Sequence, residues 1–150
     1  MQLRLSVLAT KGLATLLFAL FAGVACAGDI GHVKTVSGSA HVERDGKQIP
    51  ATAGMTVLES DTLITGADGT MGVTMTDNCL LSVGPNSVLA IDKYAFDSTT
   101  HAGNFDASLQ KGTLAVVSGK MVKQSPDAMR VRTPATVMAV RGTEFVVKVD

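Results

Sequence analysis

The sequence is short of the residues that build most reaction centres and nucleic-acid surfaces. It has no Trp, one Tyr and five Phe in 150 residues, and only two Cys and three His. So few aromatic rings argue against a base-stacking surface. From residue 28 onward the chain carries 11 basic against 13 acidic residues, the wrong balance for binding nucleic acid. The histidines, His32, His41 and His101, lie far apart with no His-Glu-x-x-His or Cys-x-x-Cys spacing around them, and they read as incidental surface or core residues. Acidic turns at Asp45, Asp68 and Asp77 lack the Asp-x-Asp-x-Asp spacing of a calcium loop, and aspartate forms turns through its own backbone hydrogen bonds. The chain also lacks a Gly-x-Ser-x-Gly elbow, a Walker loop and a dinucleotide fingerprint. No catalytic residue, metal or cofactor is expected.

What is present is glycine and small or branched apolar residues. Fifteen Gly and 46% apolar residues imply a core of Val, Leu, Ile, Met and Ala between frequent turns, which suits many short strands better than long helices. Part of that apolar content belongs to the N-terminus. Arg4 and Lys11 precede an apolar stretch, Leu13 to Val24, that ends in Ala25-Cys26-Ala27, the pattern of an export signal over residues 1–27. Cleavage is expected before Gly28, which places the mature protein in the periplasm or outside the cell with no membrane span. Lipidation of Cys26 is the alternative, disfavoured because Gly23 stands where lipoprotein signals carry a larger aliphatic residue. With Cys26 removed, Cys79 has no disulfide partner, and its neighbours Leu80 and Leu81 mark it as a buried thiol.

Residues 28–150 then read as one all-β domain, a compact stack of short antiparallel strands and hairpins of β-sandwich or short β-solenoid type. Gly31 to Val36 and Ser39 to Arg44 form a strand pair broken at Ser37-Gly38, and Asp45-Gly46 is a hairpin signal. Thr70 to Thr76 alternates, with Met71, Val73 and Met75 on one face. Asp77-Asn78 reverses the chain, and Gly84-Pro85-Asn86 is a further turn. Tyr94 to Asp106 is the least regular portion, with an exposed tip over Asp97 to Asn104. Gly119 to Asp127 has room for a brief helical turn. The closing residues, Ala135 to Val140 and Glu144 to Val149, read as two strands folded tightly about Arg141-Gly142-Thr143. In the second of them Phe145, Val147 and Val149 face one way.

The run Arg132-Thr133-Pro134, a short apolar segment, then Val140-Arg141-Gly142-Thr143-Glu144-Phe145-Val146-Val147 resembles the closing signature of FecR-type periplasmic domains. Gly31 to Gly38, Gly54, Asp61 to Gly69, Asp77 and Gly84 to Ser87 resemble the same family in order and spacing. The resemblance implies a stand-alone FecR domain with Thr133, Pro134, Arg141, Gly142, Thr143 and Phe145 as its structural motif. It also implies envelope protein partners in sensing or signalling. The family's membrane-bound regulators add a cytoplasmic segment that handles a sigma factor and a membrane span, and neither is seen here.

Charge is unevenly placed. Residues 28–106 hold four basic against ten acidic side chains, and residues 107–150 hold seven basic against three acidic, so the two parts are expected to attract one another or to face different partners. Arg130, Arg132 and Arg141 are the candidate partner-binding patch, with Arg141 otherwise holding the last turn or pairing with Glu144. Strand addition at an exposed sheet edge is the expected mode of contact, since it needs no conspicuous side chains. A glycan or peptidoglycan surface on the Asp97 to Asn104 loop is the alternative function.

Overall fold

A computed structural model describes residues 28–150. The export signal expected over 1–27 and the lipidation alternative at Cys26 lie outside the described residues. No helix among the described residues is long and apolar enough to cross a membrane.

Among the described residues, twelve strands and one short helix follow in the order β1 Gly31–Ser37, β2 Ala40–Arg44, β3 Lys47–Pro50, β4 Thr56–Val57, β5 Thr62–Thr65, β6 Thr70–Met75, β7 Leu80–Val83, β8 Val88–Phe96, β9 Gly103–Val117, α1 Lys120–Gln124, β10 Met129–Arg132, β11 Val137–Ala139 and β12 Glu144–Val149. They make one curled sheet folded into two layers. One layer runs β4-β1-β6-β7-β9-β12, the other β3-β2-β5-β8-β9-β10-β11. The long strand β9 belongs to both. Its first part pairs with β8 and β10, its second with β7 and β12. The all-β expectation holds. One ladder departs from the antiparallel pattern, because β10 runs parallel to β9 from Met129 opposite Phe105 to Arg132 opposite Ser108.

The core lies between the layers, and the period-two rule places its residues. Met71, Val73 and Met75 point inward from β6, as the alternation predicts, and Leu81 and Val83 from β7. Leu63, Leu89, Ile91 and Leu109 meet them from the other layer, all at most 1% exposed. Each such side chain contributes about 1.5–3 kcal/mol on burial. In β9 the inward set changes phase, from Phe105, Ala107 and Leu109 to Leu114 and Val116, across Lys111-Gly112-Thr113. Gly112 sits there at φ +92°, and a Cβ on it would strike Ser87. The strand bends at that point from one layer into the other instead of ending.

Adjacent strands in the chain often lie in opposite layers. The connections β1 to β2, β5 to β6 and β7 to β8 are corners, and they stack on one another. The Gly66 N–H donates to the Ser39 carbonyl, the Asn86 N–H to the Gly66 carbonyl, and the Gly84 N–H to the Thr113 carbonyl. Two buried hydroxyls bind this row together. Thr65 Oγ1 donates to the Gly84 carbonyl and accepts from the Ser87 N–H, while Ser87 Oγ accepts from the Thr113 N–H. The expected pairing of Gly31–Val36 with Ser39–Arg44 is therefore incorrect: β1 pairs with β6 and β4, and β2 with β3 and β5.

The closing hairpin is also corrected. The strands on either side of Arg141-Gly142-Thr143 do not pair with each other, since β11 pairs with β10 and β12 with β9. Gly142 does adopt positive φ, +112°, but it carries the chain across to the other layer. Phe145 and Val149 face the core half-buried and Val147 is buried, the facing expected for this strand. The segment after β9 holds the expected brief helix. It covers Lys120–Gln124, ahead of Ser125-Pro126-Asp127. Tyr94 to Asp106 is more regular than expected. β8 and β9 pair through Phe96 opposite Gly103, and only the Asp97–Ala102 tip is non-strand. A register shift between Ile91 and Lys93 sends Asp92 and Lys93 outward together, which is why the alternation fails there.

Candidate functional site

Two carboxylates are buried, and both accept hydrogen bonds from within the fold. Asp61, 1% exposed, accepts from Arg44 Nε at 2.9 Å, from an Arg44 terminal nitrogen at 2.6 Å and from the Leu58 N–H at 2.9 Å. The same guanidinium donates to the Thr56 carbonyl, so one ion pair ties β2 to the turns around β4 and β5. Hydrogen bonding to Asp61 raises the Arg44 pKa above its ordinary value.

Asp77, 3% exposed, pairs with no cation among the described residues. Its Oδ1 accepts from the Cys79 N–H and from the Tyr94 hydroxyl, each at 3.1 Å, and its Oδ2 from the Met121 N–H at 3.4 Å. Tyr94 Oη in turn accepts from the Asp77 N–H and lies 2.9 Å from Thr76 Oγ1. This network fastens the β6–β7 reversal to β8 and to the start of α1, whose Lys120 N–H donates to the Asp77 carbonyl. Burial pushes the Cys79 thiol up to about 12, with the Asp77 charge adding to the effect, and burial also raises Tyr94. A thiol so protonated is not a nucleophile. The Asp77 turn and the buried Cys79 are legible in the sequence but this network is not, since its Tyr94 and Met121 partners arrive from distant elements.

The histidines stay apart in the fold, and among the described residues no three His, Cys, Asp or Glu side chains gather closely enough to hold a metal. At the β8–β9 tip the Asp97 carboxylate accepts from the Thr99 and Thr100 N–H groups, which lower its pKa, and His101 stacks on Phe96. The polar groups of that tip serve its own turn.

The arginines separate into two sets. Arg130 and Arg132 are exposed on the outer face of β10, opposite Ala139 and Val137 of β11. Across β9 they neighbour Asp106 and Ser108. Arg141 is held in an ion pair, donating through Nε and a terminal nitrogen to Asp127 Oδ1 at 3.0 and 2.9 Å. That pair is 71% and 62% exposed, and Glu144 has no part in it. None of the three ion pairs among the described residues joins the acidic part of the chain to the basic part. The other motif residues shape turns. Thr133 closes the β10–β11 hairpin through its N–H and hydroxyl to Thr136, with exposed Pro134 beside it. The Gly142 and Thr143 carbonyls accept from the hydroxyl and N–H of buried Ser118.

Four strands end the layers. β3 is short and carries Lys47 and Pro50, and β4 has two residues, which guards both edges. The edges of β11 and β12 are open. The Val140 N–H bonds the Met129 carbonyl and the Ser118 N–H bonds the Thr143 carbonyl. With antiparallel alternation, Val137 and Ala139 of β11, and Glu144, Val146 and Lys148 of β12, then aim their main-chain groups away from the sheet. Val137 and Val146 are 59% and 65% exposed. Between the two edges runs a mostly apolar groove of about 480 Å³, bordered by Pro134, Met138 and Val147.

The fold and these groups define a two-layer all-β domain whose buried carboxylates hold corners and turns and whose β11 and β12 edges leave main-chain groups free. A family model described as FecR protein matches residues 61–150, more than half of the chain, and the chain belongs to that family. The match spans β5 to β12, whereas β1 to β4 lie outside it yet complete both layers. No curated protein and no solved structure matches the chain.

Proposed function

We propose that this chain is an exported FecR-domain module that makes protein–protein contacts in envelope sensing or signalling, with no catalysis of its own. Membership of a family involved in envelope signalling supports the setting. The observation that carries the contact is the open β11 edge. Val137 and Ala139 offer main-chain donors and acceptors there, and Arg130 and Arg132 flank them on the same outer face. An extended partner segment with acidic side chains fits this edge, since strand addition supplies affinity through the main chain and the guanidinium groups supply selection. Arg141 is paired with Asp127 at an exposed site just before the crossing to β12, so its charge is partly offset. The structural roles of Asp61, paired with Arg44, and of Asp77, bonded to the Cys79 N–H and the Tyr94 hydroxyl, support the absence of an acid–base centre.

A photo-crosslinking residue at Val137 of the exported chain tests this in living cells. It is expected to give an adduct of one discrete mass that is lost in R130E/R132E and absent when the probe sits at Lys47 on β3. Equal adducts at both positions, or an adduct indifferent to the charge reversal, would refute the reading.

A further inference from the structure

We infer that the β12 edge is built to pair with β12 of a second copy of this chain, in an antiparallel arrangement centred on Val146. The inference goes beyond partner binding at β11, because it uses a different edge and a different occupant. The side chains beside the free main-chain groups of β12 are Glu144, Val146 and Lys148, all exposed on one face. Written from either end, this set is complementary to itself. Antiparallel pairing about Val146 sets Glu144 of one copy opposite Lys148 of the other, Lys148 opposite Glu144, and Val146 opposite Val146. Such a contact is isologous and closes at two copies. The three residues in each strand that aim outward exchange about six main-chain hydrogen bonds in that register.

Three further observations fit a second β12. Val146 is 65% exposed, the most of any large apolar side chain among the described residues. Its neighbour on the sheet side is Ala115, followed by Ser82 and Gly72, so nothing within the layer is large enough to shield it. A facing valine on the open side would. On the inner face the same register places Phe145 opposite Val147 of the partner copy, both core-facing residues, and Val147 borders the groove beside Met138 and Pro134. Lys148 is engaged only with Asp150, 3.6 Å away and almost fully exposed, a contact too weak to hold it back.

The plain alternative is that Glu144 and Lys148 guard the edge against pairing, as charges on edge strands often do. The two readings predict opposite behaviour on charge exchange. Sedimentation velocity of the purified full chain over a range of concentrations is expected to show a monomer–dimer equilibrium. K148E and E144K should each raise the dissociation constant about 10-fold or more, because each places like charges opposite one another at both ends of the contact. The double exchange E144K/K148E restores opposite pairing and should recover the parent value within about 3-fold. V146C should give a disulfide-linked dimer under mild oxidation in excess of the parent chain, since directly opposed residues at about 5.5 Å between Cα atoms lie within reach of a disulfide. Circular dichroism checks that each variant is folded. A parent chain that stays monomeric at the highest concentration, a dimer indifferent to both charges, or a double exchange no better than the singles would overturn the proposal. Because the probe at Val137 reports on the other edge, failure here leaves the partner-binding test standing, and the reverse also holds.

Discussion

Replacing Asp77 by Ala tests whether a buried carboxylate without a cation holds the β6–β7 reversal to the rest of the domain. The substitution removes three accepted bonds. The Cys79 N–H, buried and with Asp77 Oδ1 as its acceptor at 3.1 Å, loses that acceptor, at a cost of about 1–3 kcal/mol. Tyr94 Oη loses its acceptor but keeps the Thr76 hydroxyl and the Asp77 N–H, so its share is nearer ~1 kcal/mol. The Met121 N–H at 3.4 Å adds little. Relief of carboxylate desolvation offsets part of the total, leaving a net loss of about 2–3 kcal/mol. For a domain of this size that corresponds to a Tm lower by roughly 8–12 °C. Asn at the same position keeps one acceptor oxygen and should cost about 1 kcal/mol. Urea denaturation followed by circular dichroism measures both, with the slope unchanged and only the midpoint moved. The reasoning fails if Ala costs less than ~0.5 kcal/mol, or if Asn costs as much as Ala, since acceptor geometry would then not be what stabilises the turn.

Gly112→Ala should cost more than about 3 kcal/mol, because positive φ strains the new residue and its Cβ displaces Ser87 from the Thr113 N–H. Gly46→Ala, also at positive φ but with open space around it, should cost only about 1 kcal/mol, and equal losses at the two sites in urea denaturation would contradict the packing argument. Stability should fall with alkali. The Cys79 thiol keeps its proton in the fold up to about 12 but ionises from about 9 when unfolded, so the unfolded state sheds a proton that the native state retains. The loss approaches ~1.4 kcal/mol per pH unit through this window, with Tyr94 adding to it at higher pH. Urea midpoints between pH 8 and 10 should decline in the parent and stay flatter in Cys79→Ala, and parallel curves would count against a buried protonated thiol.

Much of the fold was legible in residues 28–150 because a two-layer sheet presents each strand to the core on one face only. Met71, Val73 and Met75 in β6, and Phe145, Val147 and Val149 in β12, betray that geometry through spacing alone. Buried Cys79 was legible for a related reason, a thiol next to two leucines. The phase change between Leu109 and Leu114 was also visible, yet it reads equally as the end of a strand, and only packing turned it into a bend. The candidate site was legible in composition but not in arrangement. Arg130 and Arg132 share a face because they are two apart on a strand, whereas the pairing of Arg141 with Asp127, fourteen residues earlier, follows only from the fold.

The sequence by itself determined that this chain forms strands, where it turns, and which side chains those strands bury, since such choices follow from local backbone preferences and period-two burial. Tertiary structure alone decided which strand lies beside which. Ser37-Gly38 and Arg141-Gly142-Thr143 have the chemistry of hairpin turns, but each carries the chain into the opposite layer, because neither layer could cover its apolar face without strands from both sides of the corner. That choice is also what leaves β11 and β12 side by side with unpaired edges.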